Sequence, residues 1–238
     1  MINIKLADVC IALDNRFPDL ETFCRDYITD EPAQMVFRVT PEEIEAERSS
    51  QSYAFSEGYL ETVCIYRKIA LEMLQHDVFI MHASVLEVDG EGYAFLAHSG
   101  TGKSTQTFLW LKHFGDRARV INGDKPLVRM VPHGDGWKFV AYGTPWNGKE
   151  GMGCNASVPL KALFLLERST DPTCEPADQE YSIDRLFHQL LMPEKPEQVM
   201  QLLDMVDKLV ETIPCYRLKC DMTDNSVVAA YHASRQSG

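Results

Sequence analysis

The sequence predicts an α/β fold with a mixed sheet, and three observations carry that reading. A glycine-rich stretch, Ala97-His98-Ser99-Gly100-Thr101-Gly102-Lys103-Ser104-Thr105, separates an apolar run at 93–96 from an amphipathic one at 107–114. That is the strand, loop and helix order in which phosphate-binding loops occur. Two turn signals, Asp89-Gly90-Glu91-Gly92 and His133-Gly134-Asp135-Gly136, lie between strand-like runs and predict antiparallel hairpins. Apolar residues at helical spacing over 57–75 and 197–212 predict long helices. Helices interleaved with hairpins give a mixed sheet rather than a regular doubly wound one.

Taken in order, residues 2–13 alternate as a strand with an irregularity near Ala7-Asp8, an edge strand or a hairpin. Leu20, Phe23, Cys24 and Tyr27 recur at helical spacing over 19–27, and 35–39 is a short strand. Thr40-Pro41-Glu42-Glu43 combines a capping threonine, a first-turn proline and a glutamate three residues after the cap, so a short acidic helix starts there. Its polar end at 48–52 is the best boundary, dividing a small N-terminal α+β segment (1–56) from a phosphate-loop core (57–238). After the helix at 57–75, a strand begins at 78–82 and continues to Val88, and the hairpin delivers the chain to the loop. A strand at 118–121 ends at Asn122-Gly123-Asp124. A second hairpin (127–131 with 137–142), a glycine-rich loop (143–153) and a buried strand (162–166) follow. Helices at 182–191 and 197–212, a strand at 215–220 and a last helix at 225–232 complete the chain.

The net charge of −12, from 35 acidic and 23 basic residues, argues against nucleic-acid and anionic-membrane partners. No run approaches the ~20 apolar residues of a membrane span, and residues 1–5 lack the features of a secretory leader, so a cytoplasmic location is expected. The seven cysteines form no Cys-x-x-Cys pair and read as reduced structural residues. Cys215 and Cys220, five apart on a strand, should face opposite sides of the sheet.

In the loop, glycines let backbone N–H groups converge on phosphate oxygens, Lys103 neutralises the β and γ phosphates, and the Ser104 hydroxyl holds Mg²⁺. Residues 99–105 (Ser99, Gly100, Thr101, Gly102, Lys103, Ser104, Thr105) are therefore the expected nucleotide-binding set, with ATP and Mg²⁺ as cofactors. The Walker A pattern Gly-x4-Gly-Lys-Ser/Thr has one departure, Ala97 at its first glycine. Asp124 is either an acid reaching the metal or acceptor, or a turn aspartate before Lys125-Pro126. Lys149 and Glu150 are either a phosphoryl-contacting cation and a second metal ligand, or opposite charges on a solvated turn. His82 alone reads as a core histidine, and His98 need not touch phosphate.

With these residues placed, the chain resembles the HPr kinase/phosphorylase family and the wider group that shares its core with ATP-dependent phosphoenolpyruvate carboxykinase. The resemblance covers about residues 79–167: Met81-His82-Ala83-Ser84, the hairpin, Ser99-Gly100-Thr101-Gly102-Lys103-Ser104-Thr105, the acid after the next strand, and Lys149-Glu150-Gly151-Met152-Gly153-Cys154-Asn155. It implies a mixed-sheet phosphate-loop core with a small N-terminal appendage and C-terminal helices. It also implies an active-site role for His82, and Asp124 as general base toward a serine hydroxyl and as acid in reverse. Asp124, Lys149 and His82 are then the catalytic set, and Ser104 and Glu150 the metal ligands. The family has two adjacent aspartates where this chain has Gly123-Asp124, and no signature for docking HPr is evident. The expectation is an ATP- and Mg²⁺-dependent serine kinase whose acceptor is the hydroxyl of a small molecule or peptide, with homo-oligomerisation left open. The alternatives are a phosphoenolpyruvate carboxykinase-like enzyme and a catalytically reduced nucleotide-binding regulatory module.

Overall fold

The computed structural model describes residues 1–51 and 53–236; Ser52, in the expected boundary stretch, and residues 237–238 lie outside it. Strands β1 (Ile2–Leu6) and β2 (Val9–Asp14) pair antiparallel, so the run at 2–13 is a hairpin. Ala7 and Asp8, at φ 46° and 62°, form its two-residue turn. The helix expected over 19–27 breaks at Cys24 into α1 (Pro18–Phe23) and a 3₁₀ turn at 25–27. β3 (Met35–Arg38) runs parallel to β2. α2 (Pro41–Ser50) starts at the expected capping box: Glu43 N–H donates to Thr40 Oγ1 (3.3 Å), and Thr40 N–H to Glu43 Oε2 (2.8 Å). α3 (Glu57–Glu72) passes into a 3₁₀ turn that ends at His76. Its Leu60, Ile65 and Ile69 share one apolar cluster with the three-stranded sheet and with Val78, Leu127 and Trp146.

The remaining elements are β4 (Val78–Ile80), β5 (Ala83–Val88), β6 (Glu91–Leu96), α4 (Lys103–Phe114), β7 (Ala118–Asn122), β8 (Leu127–His133), β9 (Gly136–Tyr142), β10 (Ser157–Arg168), β11 (Thr173–Pro176), α5 (Gln179–Phe187), α6 (Pro196–Thr212), β12 (Cys215–Cys220) and α7 (Asp224–Gln236). Nine strands form one mixed sheet in the order β4-β8-β9-β10-β6-β5-β7, with β12 beside β10 and β11 at the edge. The long β10 joins its two arms, antiparallel to β9 at 157–159 and parallel to β6 and β12 further on. Asp89 and Gly90, both at positive φ, close the β5–β6 hairpin in the two-residue turn that an Asp-Gly pair favours.

Buried on both faces, β6 and β10 send alternate side chains to two cores. Tyr93, Phe95 and Phe164 pack under α4 and α7 with Trp110, while Ala94, Leu163 and Leu165 meet α6 and the β8–β9 arm. Cys215 and Cys220 fall in different cores, as their spacing requires. All seven cysteines are free thiols. Among the described residues, no helix is long and apolar enough to cross a membrane.

Two further expectations need correction. The strand expected over 78–88 divides at Met81-His82, because β4 pairs with β8 whereas β5 pairs with β6 and β7. Between them the Met81, His82 and Ala83 N–H groups donate to Pro126, Gln189 and Asp124 carbonyls. The helix expected over 182–191 spans 179–187, after which Leu190 bridges to Met81. β11 escapes sequence reading because it is a four-residue edge strand ending in proline.

Candidate functional site

The loop between β6 and α4 takes its shape from two glycines. Gly100 (φ 77°) and Gly102 (φ 132°) hold conformations that other residues rarely adopt, and Gly102 caps α4. Ala97 is not at positive φ and its side chain is buried, so no glycine is required at the departing position. Lys103 Nζ donates to Ala97 O (2.8 Å), folding the ammonium across the loop. Burial lowers the Lys103 pKa from its usual value, and the Asp124 charge opposes that shift. Two buried contacts fix the first turn of α4. Thr107 Oγ1 lies 2.7 Å from Ser84 Oγ on β5, and Gln106 Nε2 donates to Ser226 Oγ and Asp221 O, both at 3.1 Å.

Asp124 is set by a polar clamp that the sequence reading missed. Asn122, fully buried at the end of β7, accepts on Oδ1 from the Asp124 N–H (2.9 Å) and the Lys125 N–H (2.7 Å). Its Nδ2 donates to Thr144 Oγ1 (2.9 Å) and Thr144 O (3.2 Å). Thr144 Oγ1 and Tyr66 OH in turn donate to Lys125 O. The signal available in the sequence was the asparagine two residues before the acid, since that spacing makes an Asx turn. With the backbone so held, His82 Nε2 lies 3.1 Å from Asp124 Oδ1, so His82 leaves the core role its strand suggests. Burial works against the Asp124 carboxylate, but the His82 hydrogen bond and the charges of Lys125, His82 and Lys103 outweigh it. The pKa is held below its usual value.

The glycine-rich loop is fastened to the end of β7. Gly123 N–H donates to Met152 O (2.9 Å), Cys154 N–H to Ile121 O (3.2 Å), and Asn122 bridges to Gly153. Close approach explains two glycines: a Cβ on Gly143 would lie 1.8 Å from Cys154 O, and one on Gly123 3.0 Å from Asn147 O and 3.1 Å from Met152 O. A side chain at Gly123 would therefore press on two backbone carbonyls, which would have to give by a few tenths of an ångström. This fastening carries Lys149 and Glu150 over the β6–α4 loop, where Ser104 Oγ lies 3.3 Å from Glu150 Oε1.

His82, Lys103, Ser104, Asp124, Lys149 and Glu150 therefore line one open cavity of about 510 Å³. Ser99, Gly100, Gly102 and Thr105 line it too, whereas Thr101 faces a neighbouring cavity. His98 does not line it, and its ring lies 5.3 Å from that of His188. Among the described residues no three His, Cys, Asp or Glu side chains gather as a metal cage. The hard oxygens of Ser104 and Glu150 suit Mg²⁺, which takes one or two protein ligands and completes its shell with water and phosphate.

A family model described as SynChlorMet cassette protein ScmC matches residues 56–227, a span that contains every residue of this cavity. No curated protein matches the chain. Among solved structures, the HPr(Ser) kinase/phosphatase from Coxiella burnetii is similar at 12% identity over 66% of this chain and 97% of that one, with a TM-score of 0.29. So distant a likeness bears on neither fold nor activity.

Proposed function

The chain belongs to the ScmC family of SynChlorMet cassette proteins, a name that states no chemistry, and from the residues of its loop cavity we propose an ATP- and Mg²⁺-dependent phosphotransferase. The acceptor is a hydroxyl, most simply that of serine in a small molecule or peptide. The reading rests above all on the Asp124 carboxylate, paired with His82 and opening on the same cavity as Lys103 and Ser104. A phosphate cradle alone supports binding; an ionised acid beside it supports transfer.

In this mechanism the loop N–H groups and Lys103 hold the triphosphate, and Lys149 meets charge that develops on the transferred phosphoryl group. Ser104 and Glu150 would hold Mg²⁺, which would neutralise phosphate charge. His82 occupies Asp124 Oδ1 and orients the carboxylate. The acceptor hydroxyl gives its proton to Asp124 Oδ2 as its oxygen bonds to the γ-phosphorus, and the bond to the β-bridging oxygen breaks. In reverse Asp124 returns the proton.

Incubating the protein with ATP and Mg²⁺ against free serine, serine-containing peptides and oxaloacetate, with products read by mass spectrometry, tests the proposal. A phosphorylated hydroxyl is expected from the native chain and none from Lys103→Ala. Phosphoenolpyruvate from oxaloacetate would redirect the assignment to carboxykinase chemistry, and tight ATP binding without any product would leave a regulatory module.

A further inference from the structure

A second cavity, of about 560 Å³, opens on the other side of the phosphate loop and is lined by Thr101, Gln106, Arg168, Thr170, Asp221 and Met222. It shares Gly100, Gly102 and Thr105 with the first, so the two are lobes of one cleft astride the loop. Their chemistry differs. The first lobe holds Lys103 and Lys149 together with the Asp124 and Glu150 carboxylates, whereas the second holds the Asp221 carboxylate and the exposed thioether of Met222. Its one cation, Arg168, is engaged with the carbonyl oxygens of Gly100 and Thr101. The two lysines that the phosphate-loop reading assigns to the triphosphate thus stand in the first lobe, and the second offers an acceptor and an apolar surface instead.

The second lobe is also preformed. Gln106, fully buried, ties Asp221 O and Ser226 to the first turn of α4, and Asp221 Oδ1 accepts from the Thr223 N–H at 2.9 Å. Its volume lies within the roughly 300–1,000 Å³ of small-ligand sites. We propose that this lobe receives the nucleoside half of the nucleotide: the triphosphate runs along the loop past Thr105, and the base and sugar leave it between Arg168–Thr170 and Asp221-Met222. The base lies against the Met222 thioether and the Arg168 guanidinium, surfaces that accept an aromatic face. Asp221, an acceptor, takes a hydroxyl or amino donor of the nucleoside.

This inference rests on the phosphate-loop reading, and calorimetric titration with ATP and with inorganic tripolyphosphate separates the two. The native chain should bind ATP at least about tenfold more tightly than tripolyphosphate, since only ATP fills both lobes. Thr170→Trp, at an exposed position, fills the second lobe; ATP should weaken about tenfold or more while tripolyphosphate is unchanged. Met222→Ala should weaken ATP alone, by a smaller factor. Equal affinity of the native chain for the two ligands, or native-like ATP binding by Thr170→Trp with an unaltered circular dichroism spectrum, overturns the nucleoside lobe and leaves the phosphate loop standing. A native chain that binds neither ligand overturns both.

Discussion

His82 and Asp124 meet at 3.1 Å, half-exposed and across the break in what reads as one strand. A carboxyl whose pKa is depressed in the folded state adds stability that is present above the unfolded pKa and lost as pH falls through the folded one. In the proposed reaction the same ionisation would govern turnover, because only the carboxylate can take the acceptor's proton. Removing His82 takes away the strongest of the influences that lower the Asp124 pKa, so His82→Ala should shift the acid limb of the kcat–pH profile upward. An acid limb that stays in place would show that the pair does not set the ionisation. In that reaction Asn122 would act through Asp124 as a positioning residue. Asn122→Ala leaves the Asp124 and Lys125 N–H groups without their buried acceptor, at a cost of about 1–3 kcal/mol in chemical denaturation. It should lower kcat while leaving the ATP Kd unchanged; a loss confined to stability would reduce Asn122 to a structural group.

The glycine-rich loop and the end of β7 behave as one element, since the Gly123–Met152 and Cys154–Ile121 backbone bonds zip them together on either side of the Asn122–Gly153 bridge. Introducing a second acid with Gly123→Asp should therefore not raise activity. Its Cβ would meet the Asn147 and Met152 carbonyls, and overpacking of this kind costs about 1–3 kcal/mol and displaces the tip that carries Glu150. A lower Tm with reduced turnover is expected, and a gain in turnover at unchanged Tm would contradict this account. Features of this scale were legible in the sequence wherever local chemistry fixed them. The capping box at Thr40 and Glu43 and the Asp89-Gly90 turn are written in adjacent residues. The break at Met81-His82 was not legible, because it depends on carbonyls at Pro126, Gln189 and Asp124 that are remote in sequence. Residue types marked Lys103, Asp124 and Glu150 as candidates, yet the Asn122–Thr144 clamp exists only through a fold that brings positions 22 apart into contact.

Across the whole molecule, the N-terminal sheet and the glycine-rich loop at 143–153 are joined at Trp146. Its ring stacks on Tyr66 with centroids 4.2 Å apart, and its indole N–H donates to Thr62 O (3.0 Å). Both lie on α3, whose apolar face also covers β1–β3, so the hydrophobic cluster there spans the expected division between 1–56 and 57–238. Deleting residues 1–50 should expose Leu60, Ile65 and Ile69 and lower the Tm of what remains, and calorimetry of the full chain should show one cooperative transition. Two separated transitions would mean that the N-terminal segment folds by itself. The central claim, that this cleft transfers phosphate rather than merely binding it, is tested most directly by one substitution read two ways. Asp124→Asn should bind ATP as the native chain does, yet lose at least about 100-fold in phosphoryl transfer to a serine hydroxyl. Native turnover in Asp124→Asn would contradict the account.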